Sequence, residues 1–497
     1  MRSVFDFKVL NDNALNIIHS ESLNILEKIG IKVPYEKLLD IFKKNKSEVD
    51  FKTGIVKIPK KLTESLIKKA INNTQNYYSK RNPAELNVNG QNGWMSMGNL
   101  EYVIDPKTHK KRSCKLSDLL KGIAVGNQLD YIKRISPLCN CADYGEYTDI
   151  INQYLLCRYS KKRFFINMVN SLNSAKAIIE MCKLIADNDN HLRDGSLAEF
   201  ELEPVKNLEY SKNNLEIADE FAKNKMKIMS GHWCWMGFHA PFSYESTILL
   251  SNANFISTLC IIMLLNPEML FLDYFFISHS MNREDNNLPL FGDPNQAIFA
   301  MVTKQLADYY GFKFSYTNSG LSDETGYNFQ SGFERGVTSA IALSSGVDYV
   351  GVKGILGADQ GVSLEQLIID NEFLSYLNYL FRRKLKVDKN SLALKTIYKK
   401  GIGENFLKEE TENQISKYYW ESDVFSNGSF EKSKKNQVFL NVEKKLEKLL
   451  EKNYPPTPVI TENKAAALDE VLKNYVKDAN ILNTFNEDLK GLYEKKK

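Results

Sequence analysis

The sequence predicts an α/β fold in which strands and helices alternate along a parallel sheet. One observation is the stretch 312–373. A short aromatic strand at 312–316 is broken by Ser319-Gly320-Leu321-Ser322, and Phe329, Phe333, Val337 and Ile341 then recur about one helical turn apart, the spacing of an amphipathic helix. Gly346 ends that helix, 347–352 reads as a second apolar strand, and a loop holding Gly351, Gly354, Gly357 and Gly361 leads to a helix from Leu364. Strand–helix–strand–helix with short connections is the sequence form of βαβ units, which put their working residues on the loops after the strands' carboxyl ends. The second observation is that this alternation runs back to residue 116.

Each element follows from its own residues. Leu15, Ile18, Leu23, Leu26 and Ile29 make 13–29 an amphipathic helix stopped at Gly30. Residues 35–45 and 61–72 are helices of the same type, and 49–59 alternates around a turn, the pattern of a hairpin. Residues 79–112 are irregular and strand-rich, with Asn89-Gly90, Asn92-Gly93 and Asp105-Pro106 as turn signals. Residues 1–115 thus read as a helical and hairpin extension laid against the main body. Helices at 117–128, 148–159, 174–187, 213–223, 245–265 and 295–310 then alternate with strands at 131–138, 164–169, 200–205, 226–231 and 269–277. An eighth strand, sought near 93–104, would close a TIM-type (β/α)8 barrel with its core at 116–380. Residues 381–497 are helical and highly charged, a C-terminal cap. At 497 residues the chain exceeds the roughly 250 of a minimal barrel, as such additions require.

Composition excludes several classes. The 65 basic and 61 acidic residues nearly balance, so no nucleic-acid partner is called for. No stretch of about 18 uninterrupted apolar residues argues for a membrane; the longest apolar run, near 255–265, suits a buried helix. The amino terminus lacks the apolar core of a signal peptide, and the seven cysteines are odd in number and scattered. They read as reduced thiols of a cytoplasmic protein. Cys139-Asn140-Cys141 has no partners at zinc spacing and reads as buried strand thiols.

Several pieces carry a resemblance. They are SLNILEKIGIKV (22–33), VIDPKTHKKR (103–112) with LSDL (116–119), GLSD (320–323), SGFER (331–335), SLEQLIIDNE (363–372), and LALKTI followed by GIGENFL (392–407). In order, over about residues 13–450, they resemble the trimethylamine/quaternary-amine methyltransferase family. That resemblance implies a (β/α)8 barrel with extra terminal segments and a substrate with a methylated, positively charged nitrogen. It also implies that the methyl acceptor is the Co(I) of a corrinoid (cobalamin) on a separate corrinoid protein docked over the barrel mouth, with no cofactor held tightly by this chain. A homo-oligomer is expected. The trimethylamine members carry pyrrolysine inside the barrel, and none is present in this sequence. The reading is therefore transfer from a quaternary amine of betaine type. A trimethylamine methyltransferase, or a non-catalytic barrel binding a methylated amine, are the alternatives.

A quaternary nitrogen leaves as a neutral amine without needing a proton, so no general acid or base is assigned. What the site must supply is position and electrostatics, from aromatic faces and carboxylates. The strand-end loops offer both. Trp233 and Trp235 are two apart and share a face of an extended segment. Tyr144 follows strand 131–138, and Tyr274 and Phe276 share one face of strand 269–277, with Phe275 on the other. Tyr316 ends its strand, and Asp323 follows in the next loop. Lys353, directly after strand 347–352, is the candidate for a substrate carboxylate. His232, His239 and His279 show no HxH or HxxxH spacing and read as polar wall, not zinc ligands. The segment His232-Trp233-Cys234-Trp235 is bulky where many members of the family resemble a smaller Ser/Gly-rich loop, which implies a reshaped pocket.

Overall fold

The computed structural model describes residues 7–80, 92–94, 100–166, 168–275, 277–285, 288–312, 314–351, 354–382, 387–403, 419–426, 429, 431 and 437–494. The chain opens with α1 (Asp12–Lys28), started by Asn11, whose side chain accepts from the Ala14 backbone N–H at 2.9 Å. Then come β1 (Ile31–Lys32), α2 (Glu36–Lys44), β2 (Glu48–Asp50), β3 (Ile55–Lys57) and α3 (Lys60–Ser79). β2 and β3 are the predicted hairpin, antiparallel, with β1 on the far side of β3. Gly30 makes this packing possible: its φ is +83°, and a Cβ there would sit 2.3 Å from the Val56 carbonyl oxygen.

β4 (Asn92–Trp94) and the antiparallel hairpin β5 (Tyr102–Ile104) and β6 (Lys111–Ser113) follow. The alternation comes next: α4 (Leu116–Gly126), β7 (Ile132–Ile135), α5 (Thr148–Tyr159), β8 (Arg163–Phe164), α6 (Leu172–Ile185), α7 (Asp189–Arg193), β9 (Phe200–Leu202), α8 (Lys212–Lys223) and β10 (Ile228–Ser230). It continues through β11 (Trp233–Met236), α9 (Tyr244–Leu265), β12 (Asp273–Phe275), β13 (Ile277–Met281), β14 (Pro289–Leu290), α10 (Asn295–Tyr310), β15 (Phe314–Tyr316), α11 (Phe329–Ser344) and β16 (Tyr349–Val350). β17 (Ile355–Leu356), β18 (Gly361–Val362) and α12 (Leu364–Arg382) complete it, and α13 (Leu394–Lys400), α14 (Gln437–Asn453), α15 (Glu462–Tyr475) and α16 (Ala479–Glu494) follow.

The result is a mixed α/β fold. β12, β15, β16, β4, β7 and β8 form, in that order, a six-stranded parallel sheet. β9 and β10 form a parallel pair, with Met229 opposite Glu201. Backbone bonds from Phe164 N to Ser196 O (3.0 Å) and from Glu199 N to Ile166 O (3.2 Å) tie β8 to the approach to β9, and β10 lies beside β12. In the window 93–104 where an eighth strand was sought, β4 lies at the near edge, between β16 and β7, and the far end is hairpin strand β5.

Two apolar clusters result. The larger lies between strands and helices and is centred on α9. α9 is long and apolar enough to cross a membrane, but most of it is buried in the fold, under α1, α2, α3 and α8. The smaller cluster, Phe165, Met229, Phe275, Phe314, Tyr316 and Tyr349, lies on the strands' other, inner face. At the carboxyl-terminal end of the chain, α14 packs on α4 and α12, α15 on α5 and α6, and α16 on α4 and the turn Ala142–Tyr147.

Two expectations are corrected. Cys114 and Cys139 are joined by a disulfide, with Cα atoms 6.3 Å apart, while Cys141, Cys157, Cys182, Cys234 and Cys260 are free and buried. The pair is 25 residues apart in sequence, and only the docking of the β5–β6 hairpin against the end of β7 brings it together. The apolar stripe of α11 does not face the core: Phe329, Phe333 and Val337 are 86%, 58% and 41% exposed. The side turned inward carries Arg335, whose guanidinium lies 3.2 Å from Asp370 and also donates to the Ile355 carbonyl. A fully paired arginine takes the place that the hydrophobic pattern assigned to phenylalanines.

Candidate active site on the inner face

Strand alternation decides which side chains meet. Glu199, Glu201 and Glu203 occupy alternate positions along β9 and its flanks, as do Lys227, Met229 and Gly231 along β10, Asp273 and Phe275 on β12, and Phe314 and Tyr316 on β15. At the amino ends of the strands lies an ion network. Lys227 Nζ is 2.9 Å from Glu199 and also pairs with Asp273; Arg134 is 3.2 Å from Glu199 and donates to the Gly195 carbonyl at 2.7 Å. All four charged groups are buried. Burial alone would push the Glu199 carboxyl up, but the charges of Arg134 and Lys227 outweigh it and hold the carboxyl below its usual range.

Aromatic rings lie against this network. The Arg134 guanidinium sits 4.4 Å over the Phe165 ring. Tyr316 stacks on Tyr349, centroids 4.5 Å apart and 12° from coplanar, and Phe275 meets Tyr316 edge-on at 6.0 Å. Further along the strands stands a pair of carboxyls. Gly231 has no side chain, and the Glu201 carboxylate fills that space: a Cβ at Gly231 would lie 2.2 Å from Glu201 Oε1. Glu203 is hydrogen-bonded to Glu201 and to the Trp233 indole. Burial, then the adjacent charge of Glu201 and their mutual hydrogen bond, push the Glu203 carboxyl far above the glutamate range. Two carboxyls in contact hold one proton between them, so the pair carries a single negative charge. Since Arg134 and Lys227 offset Glu199 and Asp273, that charge is the net charge of these six groups.

The wall beside the pair is built by β11 and β13. Trp233 stacks on His279 at 5.3 Å, and Phe291 lies 5.9 Å from Trp233 and 4.4 Å from His279. Asp323 accepts from the backbone N–H groups of Phe291 (2.7 Å) and Gly292 (3.0 Å). It therefore fixes Phe291 against the Trp233–His279 stack rather than facing the site itself. Burial raises its carboxyl above the usual range.

The predicted site residues separate accordingly. Trp233 and Tyr316 belong to the inner face, and Trp235 stands further out on β11 against Phe238 (5.4 Å) and His239 (5.2 Å). Tyr144 lies elsewhere, under α16, packed on Phe485 at 5.7 Å with its hydroxyl 3.3 Å from Asp488. Tyr274 faces the helices: its ring lies 4.2 Å from Phe255 and its hydroxyl donates to Asn252 at 2.7 Å. The inward face of β12 carries Phe275. Phe276 and Lys353 lie outside the described residues. The histidines do not converge. His232 is buried against Asn254 of α9 (3.0 Å), where burial lowers it to about 3, and His239 accepts the Trp235 N–H at 3.2 Å. Among the described residues no group of three His, Cys, Asp or Glu side chains has the geometry to hold a metal.

The carboxyl pair itself is absent from the sequence-predicted site. Its signal was present: Glu199-Phe200-Glu201-Leu202-Glu203 alternates acid and apolar residues with the period of a strand. Acids at every second position of a buried strand must share one face.

Residues 1–478 match the family model described as trimethylamine methyltransferase (MTTB). The chain is 24% identical over 444 residues to trimethylamine methyltransferase MttB of Methanosarcina barkeri (strain Fusaro / DSM 804), covering 84% of this chain and 86% of that one. It is 23% identical over 428 residues to glycine betaine methyltransferase of Desulfitobacterium hafniense (strain Y51), covering 83% and 86%. The crystal structure of the Methanosarcina barkeri monomethylamine methyltransferase (MtmB) aligns with a TM-score of 0.41 at 12% identity, over 90% of this chain and 96% of that one. With the family model spanning nearly its whole length, this chain belongs to the trimethylamine methyltransferase family.

Proposed function

We propose that the six-stranded sheet and the β9–β10 pair together form one (β/α)8 barrel, and that inside it a methyl group is taken from a methylated, positively charged amine. The acceptor is a corrinoid carried by a partner protein, whose reduced cobalt takes up the methyl group when docked at the mouth. The observation that carries the reading is the Glu201–Glu203 pair beside Trp233, one net negative charge above a layer of aromatic rings. A methylated ammonium without N–H groups is held by faces and carboxylates, each good face contributing up to about 2 kcal/mol when desolvated. The chain's own residues do two things. Glu201, Glu203 and Trp233 orient the cation, and the ion network closes the amino ends of the strands. A docked acceptor fits the other end, where Glu203 and Trp233 are half-buried while Glu201 beneath them is buried. None of these residues needs to ligate the metal.

Within this class the sequence points to a quaternary amine of betaine type, with Lys353 receiving the carboxylate. A second reading, an amine without a carboxylate, is favoured by the pair's net negative charge and by the engagement of Arg134 and Lys227 with Glu199 and Asp273. The test is incubation of the purified protein with cob(I)alamin and each of glycine betaine, carnitine, proline betaine, choline and trimethylamine, following corrin absorbance. Methylcobalamin is expected with at least one of these amines. Tight binding of an amine without methyl transfer, to cob(I)alamin or to a corrinoid protein, identifies a binding protein and rejects the enzymatic reading.

A further inference from the structure

Two of the segments singled out in the sequence, GLSD (320–323) and SGFER (331–335), meet in the fold. They meet at Glu334 of α11. Its carboxylate accepts from Ser322 Oγ at 2.6 Å, from the Asp323 backbone N–H at 3.2 Å and from the Gln330 amide at 2.7 Å. The same carboxylate lies against Gly292, where an added Cβ would sit 2.1 Å from Glu334 Oε2. Only a residue without a side chain lets the turn Leu290–Gly292 come this close to α11. Each residue of that turn is held by a side chain from another element. The Leu290 carbonyl accepts from Gln296 of α10 at 3.2 Å, and the Phe291 and Gly292 N–H groups donate to Asp323.

The clamp sets Asp293, Asp323 and Glu334 around one turn. Burial raises the Asp323 carboxyl, and the charges of Glu334 and Asp293 raise it further, against the two backbone bonds it accepts. Crowded acids cost stability, and such local costs collect where a geometry is needed. The residue fixed by this clamp is Phe291, which is fully buried, 4.4 Å from His279 and 5.9 Å from Trp233. A buried ring can act on a bound cation only through its neighbours, and here the neighbour is Trp233. We propose that Glu334 is a positioning residue of the amine site: by holding Asp323 and Gly292 it seats Phe291, and Phe291 fixes the Trp233 ring at the angle at which its face meets the cation. This role rests on the amine reading above only at its last step, the contact between Trp233 and the cation.

The test uses the full chain. It holds 4 tryptophans, so labelling with 5-fluorotryptophan gives a small set of fluorine resonances, in which that of Trp233 is the one lost in Trp233→Phe. Glu334→Ala should move this resonance. Gly292→Ala, which drives the same carboxylate away from the other side, should move it too. Both should weaken binding of tetramethylammonium, measured by calorimetry, roughly fivefold, the scale of one misplaced aromatic face, with unchanged circular dichroism. Glu334→Gln keeps an acceptor oxygen for Ser322 and the Asp323 N–H, and should restore both readouts. In a Phe291→Ala chain, adding Glu334→Ala should change neither of them further, because the residue through which it acts is gone. A Trp233 resonance and an affinity unmoved by both Glu334→Ala and Gly292→Ala overturn the proposal. So does a Glu334→Gln chain as impaired as Glu334→Ala, which would make charge rather than position the agent. An unmodified chain that binds no tetramethylammonium rejects the amine reading; a Trp233 resonance moved by Glu334→Ala then still supports the seating of the ring, and an unmoved one overturns it.

Discussion

At position 231 the missing side chain sets where a carboxylate stands. Gly231→Ala would place a methyl group 2.2 Å from Glu201 Oε1, so the carboxylate must move. The expected result is at least a tenfold rise in KM for the amine, with Tm changed by only a few degrees, checked by steady-state methyl transfer and calorimetry. Glu203 makes a second prediction, in pH. Its carboxyl titrates higher in the folded chain than in the unfolded one, so the folded state retains a proton that the unfolded state has already lost. Stability contributed by this group therefore falls as pH rises from the ordinary glutamate value toward the raised one. Glu203→Gln, which keeps a donor beside Glu201 and leaves Glu201 its charge, should flatten that decline, read as Tm against pH from 4 to 8, and should leave binding of tetramethylammonium at neutral pH little changed by calorimetry, whereas Glu201→Gln should weaken that binding. Residue by residue, the site was half legible. Trp233 and Tyr316 followed from strand-end position and aromatic type. Tyr274 did not, because the side of β12 facing inward depends on register, and a shift of one residue exchanges Tyr274 for Phe275. The acids on β9 were readable by period, but a search for cation-binding aromatics passes over them.

Helices α11 and α12 show how an element can contradict its own hydrophobic pattern. Their contact is held by the fully buried Arg335–Asp370 pair, with the Gly354 backbone N–H donating to Asp370 at 2.9 Å and Gln366 at 2.7 Å. Asp370→Asn leaves a buried guanidinium without a counter-charge and should cost about 3–5 kcal/mol. Replacing both partners together, Arg335→Met with Asp370→Leu, should recover most of that loss, since no uncompensated charge remains. Thermal unfolding of the single and double variants checks this. The apolar spacing at 329, 333, 337 and 341 located the helix correctly but misjudged its orientation. Amphipathic periodicity reports that a helix has two unlike faces; which of them meets the core is settled by what the facing residues can satisfy, and here Asp370 and the Ile355 carbonyl satisfy an arginine.

Over the whole molecule, the alternation of short strands and amphipathic helices was readable because most strands are bounded by glycine, proline or polar breaks. Strand β4 was harder to place, since only three residues, Asn92–Trp94, make it up. The disulfide was not readable at all, because no local pattern announces an encounter made by docking a hairpin. The N-terminal helices have a role that follows from α9: α1, α2 and α3 cover it, and Asn252 of α9 donates to Ser22 of α1 at 2.8 Å. A chain lacking residues 1–80 should therefore expose an apolar face of α9. We expect it to bind a hydrophobic dye and elute in the void volume of a sizing column, while the full chain does neither.

The same packing has a consequence in time. α3 ends at Ser79 and α9 at Leu265, so during synthesis the first three helices leave the ribosome well before the helix they cover. At 5–20 residues per second the interval is roughly 10–40 s. Through that interval Leu26, Phe42 and Leu66, which the finished fold buries, have no α9 to pack on. The nascent amino-terminal segment is thus a natural client for a chaperone that shields apolar helices, and its release waits for the middle of the chain to emerge.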